Sequence, residues 1–202
     1  NICGYTQADI DTHFQPYLEG IDLGDIKRWY DGYNFLKDNV YNPFDILNFC
    51  ANGHAYKNYW FESGSPSFLI NLIKEKNYYM PKLENISIDE DQLDVFDIEH
   101  INFEVMLYQS GYLTIRDKKQ VEDAVFYSLK IPNLEVKSSL NKGVVSMLTD
   151  SVSVGSMLQR NMLIALHNSD KDGVKEALYA LFASLPYQNY ANNNISVYEG
   201  FY

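Results

Sequence analysis

Trp29-Tyr30-Asp31-Gly32-Tyr33-Asn34-Phe35, Val40-Tyr41-Asn42-Pro43-Phe44 and Tyr59-Trp60-Phe61-Glu62-Ser63-Gly64 follow one another in the first third of this 202-residue chain. Each stretch reads as a short element with its own stop or start. Leu23 onward predicts a helix with Ile26, Trp29 and Tyr30 on one face, ended at Asp31-Gly32. Tyr33 to Tyr41 predicts a hairpin turning at Lys37-Asp38-Asn39. Asn42-Pro43 starts the next helix, the Asn as cap and the Pro with its preset φ, and Phe44, Leu47 and Cys50 line one side until Gly53. Trp29, Tyr33, Tyr41, Phe44 and Trp60 are therefore expected to be buried and mutually packed as a structural aromatic core.

Working outward, Thr6 with Asp9 predicts a capping-box start, and Ile10, His13, Phe14 and Tyr17 follow at helical spacing until Pro16 interrupts. Ser65-Pro66 opens a further helix carrying Phe68, Leu69, Leu72 and Ile73. Residues 1–82 thus read as a small helical part. The pattern changes from residue 83. Ile86-Ser87-Ile88 alternates like a strand, and Phe103, Met106 and Leu107 give a helix stopped near Gly111. Tyr112–Arg116 and Ala124–Ile131 alternate as a hairpin, and Pro132-Asn133 precedes a helix with Leu134, Val136, Leu140 and Val144. Helix, hairpin, helix is the order of a winged-helix-like part over 83–150. Residues 151–190 read as a helical connector, with stripes at Met157, Leu158, Met162 and Leu166 and at Val174, Ala177, Leu178, Leu181 and Phe182. The fold class expected is α+β, predominantly α-helical.

Composition bounds the function. The chain is 46% apolar and 21% charged, enough apolar material for a real core. Its 17 Tyr and 11 Phe suit half-buried positions with hydroxyls reaching water, or alternatively a stacking surface for sugars or bases. A net charge of −11 argues against a nucleic-acid groove. Glu84, Asp89, Glu90, Asp91, Asp94, Asp97, Glu99 and Glu104 lie between Lys82 and Arg116 with no Gly among them, so a solvated acidic loop is expected there rather than a Ca²⁺ loop. Cys3 and Cys50 stand apart, and His13, His54, His100 and His167 are dispersed, which fits a reduced, cytoplasmic setting without a zinc site. No apolar run is long enough to span a membrane. No GxxxxGK[ST] phosphate loop occurs.

The three aromatic motifs, with Tyr108-Gln109-Ser110-Gly111-Tyr112-Leu113-Thr114-Ile115 and Ile131-Pro132-Asn133-Leu134-Glu135-Val136 after them, resemble the C-terminal part of the AAA-ATPase-like family that carries a PD-(D/E)XK nuclease-like domain. Each motif is of low specificity alone; five in order are specific, and the resemblance covers most of the chain. It implies that residues 1–82 are the lid-like part of an ATPase-like domain and that 191–202 begin the nuclease-like domain. On this reading the chain is an excerpt: it opens at Asn1, with the phosphate loop upstream and the rest of the nuclease motifs downstream. ATP and Mg²⁺ belong to the intact protein, and none is expected here.

The same resemblance suggests two site residues. Arg28, the only Arg before Arg116, occupies a lid-like position from which a guanidinium can approach nucleotide phosphates; a solvated Arg beside Asp25 and Asp31 is the alternative. Glu199 matches the first acidic residue of the nuclease-like domain, whose metal site also needs an Asp and an ExK pair that this chain lacks; a surface Glu starting a helix accounts for it equally. The expected role is non-catalytic, coupling nucleotide state upstream to the effector domain downstream, with both as partners in one chain and no membrane or nucleic acid bound here. A protein-interaction module with an aromatic surface and a carbohydrate-binding module are the alternatives.

Overall fold

A computed structural model describes residues 4–62, 67–76, 78–79, 82–83, 85–93, 102–148 and 152–184. Cys3, Ser65-Pro66, Asp94 to His100 and Glu199 lie outside the described residues. The chain divides into two compact units, Asn1–Gly64 with Pro81–Ser138, and Ser65–Met80 with Ser139–Tyr202.

The first unit opens on α1 (Gln7–Asp9). The Thr6 hydroxyl accepts from the Asp9 N–H at 3.2 Å and the Asp9 carboxylate accepts from the Thr6 N–H at 2.8 Å, a reciprocal cap. The helix continues as a π-helical turn, Ile10–Phe14, and a 3-10 turn, Gln15–Tyr17, where Pro16 offers no N–H to the ladder. Helix α2 (Leu23–Tyr30) is capped by Asp22, and strands β1 (Tyr33–Asn34) and β2 (Asn39–Val40) pair antiparallel with Tyr33 opposite Val40. Helix α3 (Pro43–Ala51) starts on Asn42, whose side chain accepts from the Phe44 N–H at 3.0 Å, and α4 (Tyr59–Glu62) follows. Ile10, Leu18, Ile26, Tyr30, Tyr41, Ile46, Phe49 and Tyr59 form one buried cluster.

That cluster corrects the expected face of α3. Ile46 and Phe49 are buried, whereas Phe44 and Leu47 are 47% and 53% exposed. Apolar residues surround this helix, so two stripes fit the same helical period and only packing selects one. Phe44 is accordingly outside the aromatic core.

The same unit holds β3 (Ile86–Asp89), α6 (Glu90–Leu93), α7 (Phe103–Gln109), β4 (Thr114–Val121) and β5 (Ala124–Lys130), and the first residues of α8 (Leu134–Leu148). The strands form an antiparallel sheet in the order β3-β5-β4. Ile88 faces Tyr127, while Ile86 and Ile115 flank Leu129; all five are buried, and the residues between them face outward. Helix, hairpin, helix is the order observed over 103–148. The hairpin is longer than its alternation suggested. It turns at Glu122-Asp123, with Glu122 at φ 55°, so Arg116, Lys118 and Lys119 lie along β4 and not at the tip. Tyr112 and Leu113 precede the strand, and a bulge at Arg116 resets the register between Ile115 and Asp117.

The second unit contains α5 (Ser67–Glu75), the rest of α8, α9 (Val152–His167) and α10 (Lys171–Ser184). Leu69, Ile73, Leu140, Leu158, Ala165 and Ala177 are its buried apolar residues among those described. Asp170 caps α10 by accepting from the Gly173 N–H at 3.0 Å. Phe68, Met157, Leu166, Leu178 and Phe182, expected on inner stripes, are exposed, since these helices too are apolar on more than one side. The fold class is α+β and predominantly α-helical.

Candidate functional site

The aromatic motifs, the end of α7 and the start of α8 meet at one junction inside the first unit. It begins where α2 ends. Asp31 closes the helix in extended backbone, and Gly32 follows at φ 121° with its α-carbon against the Pro132 carbonyl oxygen, where a Cβ would overlap that oxygen. Only glycine fits both the conformation and the space. Two residues on, the Asn34 N–H donates to the Thr114 hydroxyl at 2.7 Å, and that hydroxyl donates to the Asn34 carbonyl at 3.0 Å. Asn34 also holds its own loop, accepting from the Leu36 N–H at 2.8 Å and donating to Asn39 Oδ1 at 2.9 Å. Leu36, at φ 67°, depends on that bracing.

The aromatic rings fill the space around these bonds. Tyr30 and Tyr41 are buried; Trp29, Tyr33 and Trp60 are half-buried. Trp29 stacks on Tyr56 at 5.5 Å, and Tyr56 packs on Phe49 at 4.9 Å. The Tyr30 hydroxyl donates to the Lys57 carbonyl and accepts from the Lys57 N–H, each at 3.0 Å. Trp60 packs against Phe61 at 4.8 Å and Tyr112 at 5.5 Å, and its ring lies over Gly111, another positive-φ position at 81°. Burial pushes the Tyr30, Tyr33 and Tyr112 hydroxyls above the usual phenol range, so all are neutral donors at physiological pH.

Two carboxyl groups lie at the centre of this junction, and sequence reasoning did not single out either. Asp45 on α3 and Glu135 on α8 are both fully buried, and they lie near enough to influence each other's charge. The Trp60 N–H donates to Glu135 Oε1 at 2.9 Å. It also favours the charged form of Asp45, whose own oxygens have no hydrogen-bond partner among the described residues. Burial pushes the Asp45 carboxyl up to about 6, against the smaller opposing pull of its contacts with Glu135 and the Trp60 amide. The available signal was an acid flanking the Ile46 and Phe49 positions of an apolar helix, a placement that ordinarily demands a partner. Asn133 completes the arrangement by accepting from the Val136 N–H at 3.0 Å, fixing the first turn of α8.

Arg28 is not part of the junction. Its guanidinium is 3.0 Å from Asp25 and its side chain is 66% exposed. Asp31 instead turns inward, 6% exposed, and burial raises its carboxyl above the usual range while the Gly32 N–H opposes the shift. Glu104, from the acidic stretch, is also buried and pairs with Lys82 at 2.6 Å, so that end of the stretch is not a solvated loop. Among the described residues, no group of three or more acidic, His or Cys side chains is placed to hold a metal, and no helix is long and apolar enough to cross a membrane.

The junction consists of packing, caps and buried hydrogen bonds, an arrangement suited to holding elements in register. No family model matches the chain, and no solved structure matches it. A curated protein of Azotobacter chroococcum mcd 1, described as an uncharacterized protein in the vnfD 5' region, is 39% identical to it over 203 residues. The alignment takes in all of this chain and 39% of that relative, so the chain spans about two fifths of the length of the curated protein it matches.

Proposed function

We propose that this chain is the non-catalytic C-terminal portion of a cytoplasmic AAA-ATPase-like protein, coupling the nucleotide state of an upstream ATPase core to a downstream PD-(D/E)XK nuclease-like domain. The observation that carries the reading is the fastening at Asn34–Thr114 and Gly32–Pro132, which joins the aromatic helical elements and the helix–hairpin–helix into a single unit. A coupling element must transmit displacement without deforming, and buried reciprocal hydrogen bonds around a glycine contact serve that purpose. The greater length of the Azotobacter relative leaves room for further domains in a protein of this kind.

ATP and Mg²⁺ are assigned to the upstream core, since this chain has no phosphate loop. Arg28, exposed and paired with Asp25 in a surface ion pair, could turn toward a phosphate at little cost. Glu199 is assigned as the first acidic residue of the nuclease-like domain. Calorimetric titration with ATP and Mg²⁺ tests the reading on this chain and on the full-length product of its gene. Binding is expected for the full-length protein and none for this chain. Micromolar binding here, or none by the full-length protein, would overturn it.

A further inference from the structure

Helix α3 ends at Asn52-Gly53, and Asn52 is the single asparagine of the chain that is followed by glycine. Both residues are exposed, and Gly53 lies at φ 66° with nothing within 4 Å of where a Cβ would stand. The N–H groups on either side of Gly53 are engaged, Asn52 with the Asn48 carbonyl at 2.9 Å and His54 with the Phe49 carbonyl at 3.0 Å. The Gly53 N–H itself donates to no group among the described residues. A free amide nitrogen with no side chain to shield it therefore adjoins an asparagine carboxamide in water. We propose that Asn52-Gly53 is a site of spontaneous covalent modification, at which Asn52 loses its side-chain amide and position 52 becomes aspartate or isoaspartate.

The Gly53 nitrogen gives its proton to hydroxide and attacks Cγ of Asn52. The N–Cγ bond forms, the Cγ–Nδ2 bond breaks, and Nδ2 takes a proton from water and leaves as ammonia, which regenerates the hydroxide. Water then opens the cyclic imide. Attack at Cγ restores the main chain with an aspartate side chain, and attack at the Asn52 backbone carbonyl leaves the main chain running through Cγ, as isoaspartate. Glycine favours ring closure because no Cβ crowds the attacking nitrogen. Closure requires Asn52, at ψ 35°, to rotate and its Nδ2 to leave the Asn48 carbonyl 2.8 Å away. Both restraints belong to the exposed end of a helix, where opening costs least. Comparable sites are protected. Asn168-Ser169 is exposed, but the Ser169 N–H donates to the Leu166 carbonyl at 3.1 Å and its side chain hinders approach. Asp31-Gly32 is buried against Pro132, and the Gly173 N–H of Asp172-Gly173 is held by Asp170.

The products act on the end of α3. An aspartate there is ionised at neutral pH, sits at the negative end of the helix dipole, and turns an acceptor toward the Asn48 carbonyl where Nδ2 had donated. Isoaspartate also lengthens the main chain by a methylene between α3 and His54. That displaces the His54 N–H from Phe49 and the His54 Nε2 from the Tyr17 carbonyl, now 2.7 Å away. The His54 ring packs on Phe49 at 5.3 Å, and Phe49 belongs to the buried cluster of this unit. Modification thus loosens that cluster from its exposed edge. The inference concerns this chain alone and does not rest on the ATPase reading.

Peptide mapping by mass spectrometry of the intact chain, aged for weeks at neutral and at mildly alkaline pH, tests it. Amide loss should occur at Asn52 before Asn168 shows any, as aspartate and isoaspartate products that separate on chromatography. It should be faster at the higher pH, because the first step draws on hydroxide. Gly53→Ala places a Cβ on the attacking residue in open space and should suppress the loss. Asn52→Gln, which disfavours the ring, should do the same and decides the comparison should Gly53→Ala fail to fold. Retention of the amide at Asn52, or a loss that neither variant slows, would overturn the proposal. Aged wild type should melt several degrees below fresh protein, with fresh Asn52→Asp showing only the part due to charge. Complete amide loss with an unchanged melting temperature would overturn the claim that modification loosens the cluster.

Discussion

The Thr114 hydroxyl completes both backbone hydrogen bonds of Asn34, accepting from its N–H at 2.7 Å and donating to its carbonyl at 3.0 Å. A side chain on β4 thereby stands in for a missing strand partner beside β1, and it does so from a position that is 1% exposed.

Thr114→Val keeps the shape and removes the hydroxyl, leaving an N–H and a carbonyl without that partner. We expect a loss of about 2–3 kcal/mol in chemical denaturation, with Thr114→Ser recovering most of it. A loss below about 0.5 kcal/mol would mean that water or a local shift replaces the hydroxyl.

Gly32→Ala combines an unfavourable positive φ with overlap on the Pro132 carbonyl, which is backbone and cannot swing aside. The expected cost is about 3 kcal/mol or more. Gly20→Ala is the control: it shares a positive φ of 77° but meets nothing within 4 Å, so about 1 kcal/mol is expected. Equal losses at the two sites would remove the close approach as the explanation.

Phe49 and Phe44 lie on the same helix and should behave oppositely. Phe49→Ala empties the space between Tyr30 and Tyr56 and should cost about 3–5 kcal/mol. Phe44→Ala, at an exposed site, should change stability by no more than about 0.5 kcal/mol. Urea midpoints of the two variants check this directly.

Lys118 lies over the Tyr127 ring at 5.3 Å and 3.7 Å from Glu90, and Tyr127 donates to the same Glu90 at 2.6 Å. This cation is engaged within the sheet. Reversing Lys118 and Lys119 to Glu in the full-length protein should leave any affinity for duplex DNA unchanged in a gel shift at moderate salt. A collapse of that affinity would make the hairpin a nucleic-acid contact.

Local chemistry made much of the fold legible. Thr6 with Asp9 and Asn42 with Pro43 place helix starts by bonds made within three residues, and period-two alternation at Ile86–Ile88 and Ala124–Lys130 places two strands. The fold class followed from these alone. Which face of an all-round apolar helix turns inward did not, because Phe44/Leu47 and Ile46/Phe49 satisfy the same period and differ only in what they meet.

The sequence by itself thus determined the capped elements, their order, and the absence of a phosphate loop. Only the tertiary structure decided that the Trp60 amide meets Glu135, that Gly32 meets Pro132 and that Thr114 pairs with Asn34. Each of these contacts joins segments far apart along the chain, and a pairing of that kind leaves no periodic or local signature. It exists because burial leaves a polar group or a bare α-carbon nowhere else to go.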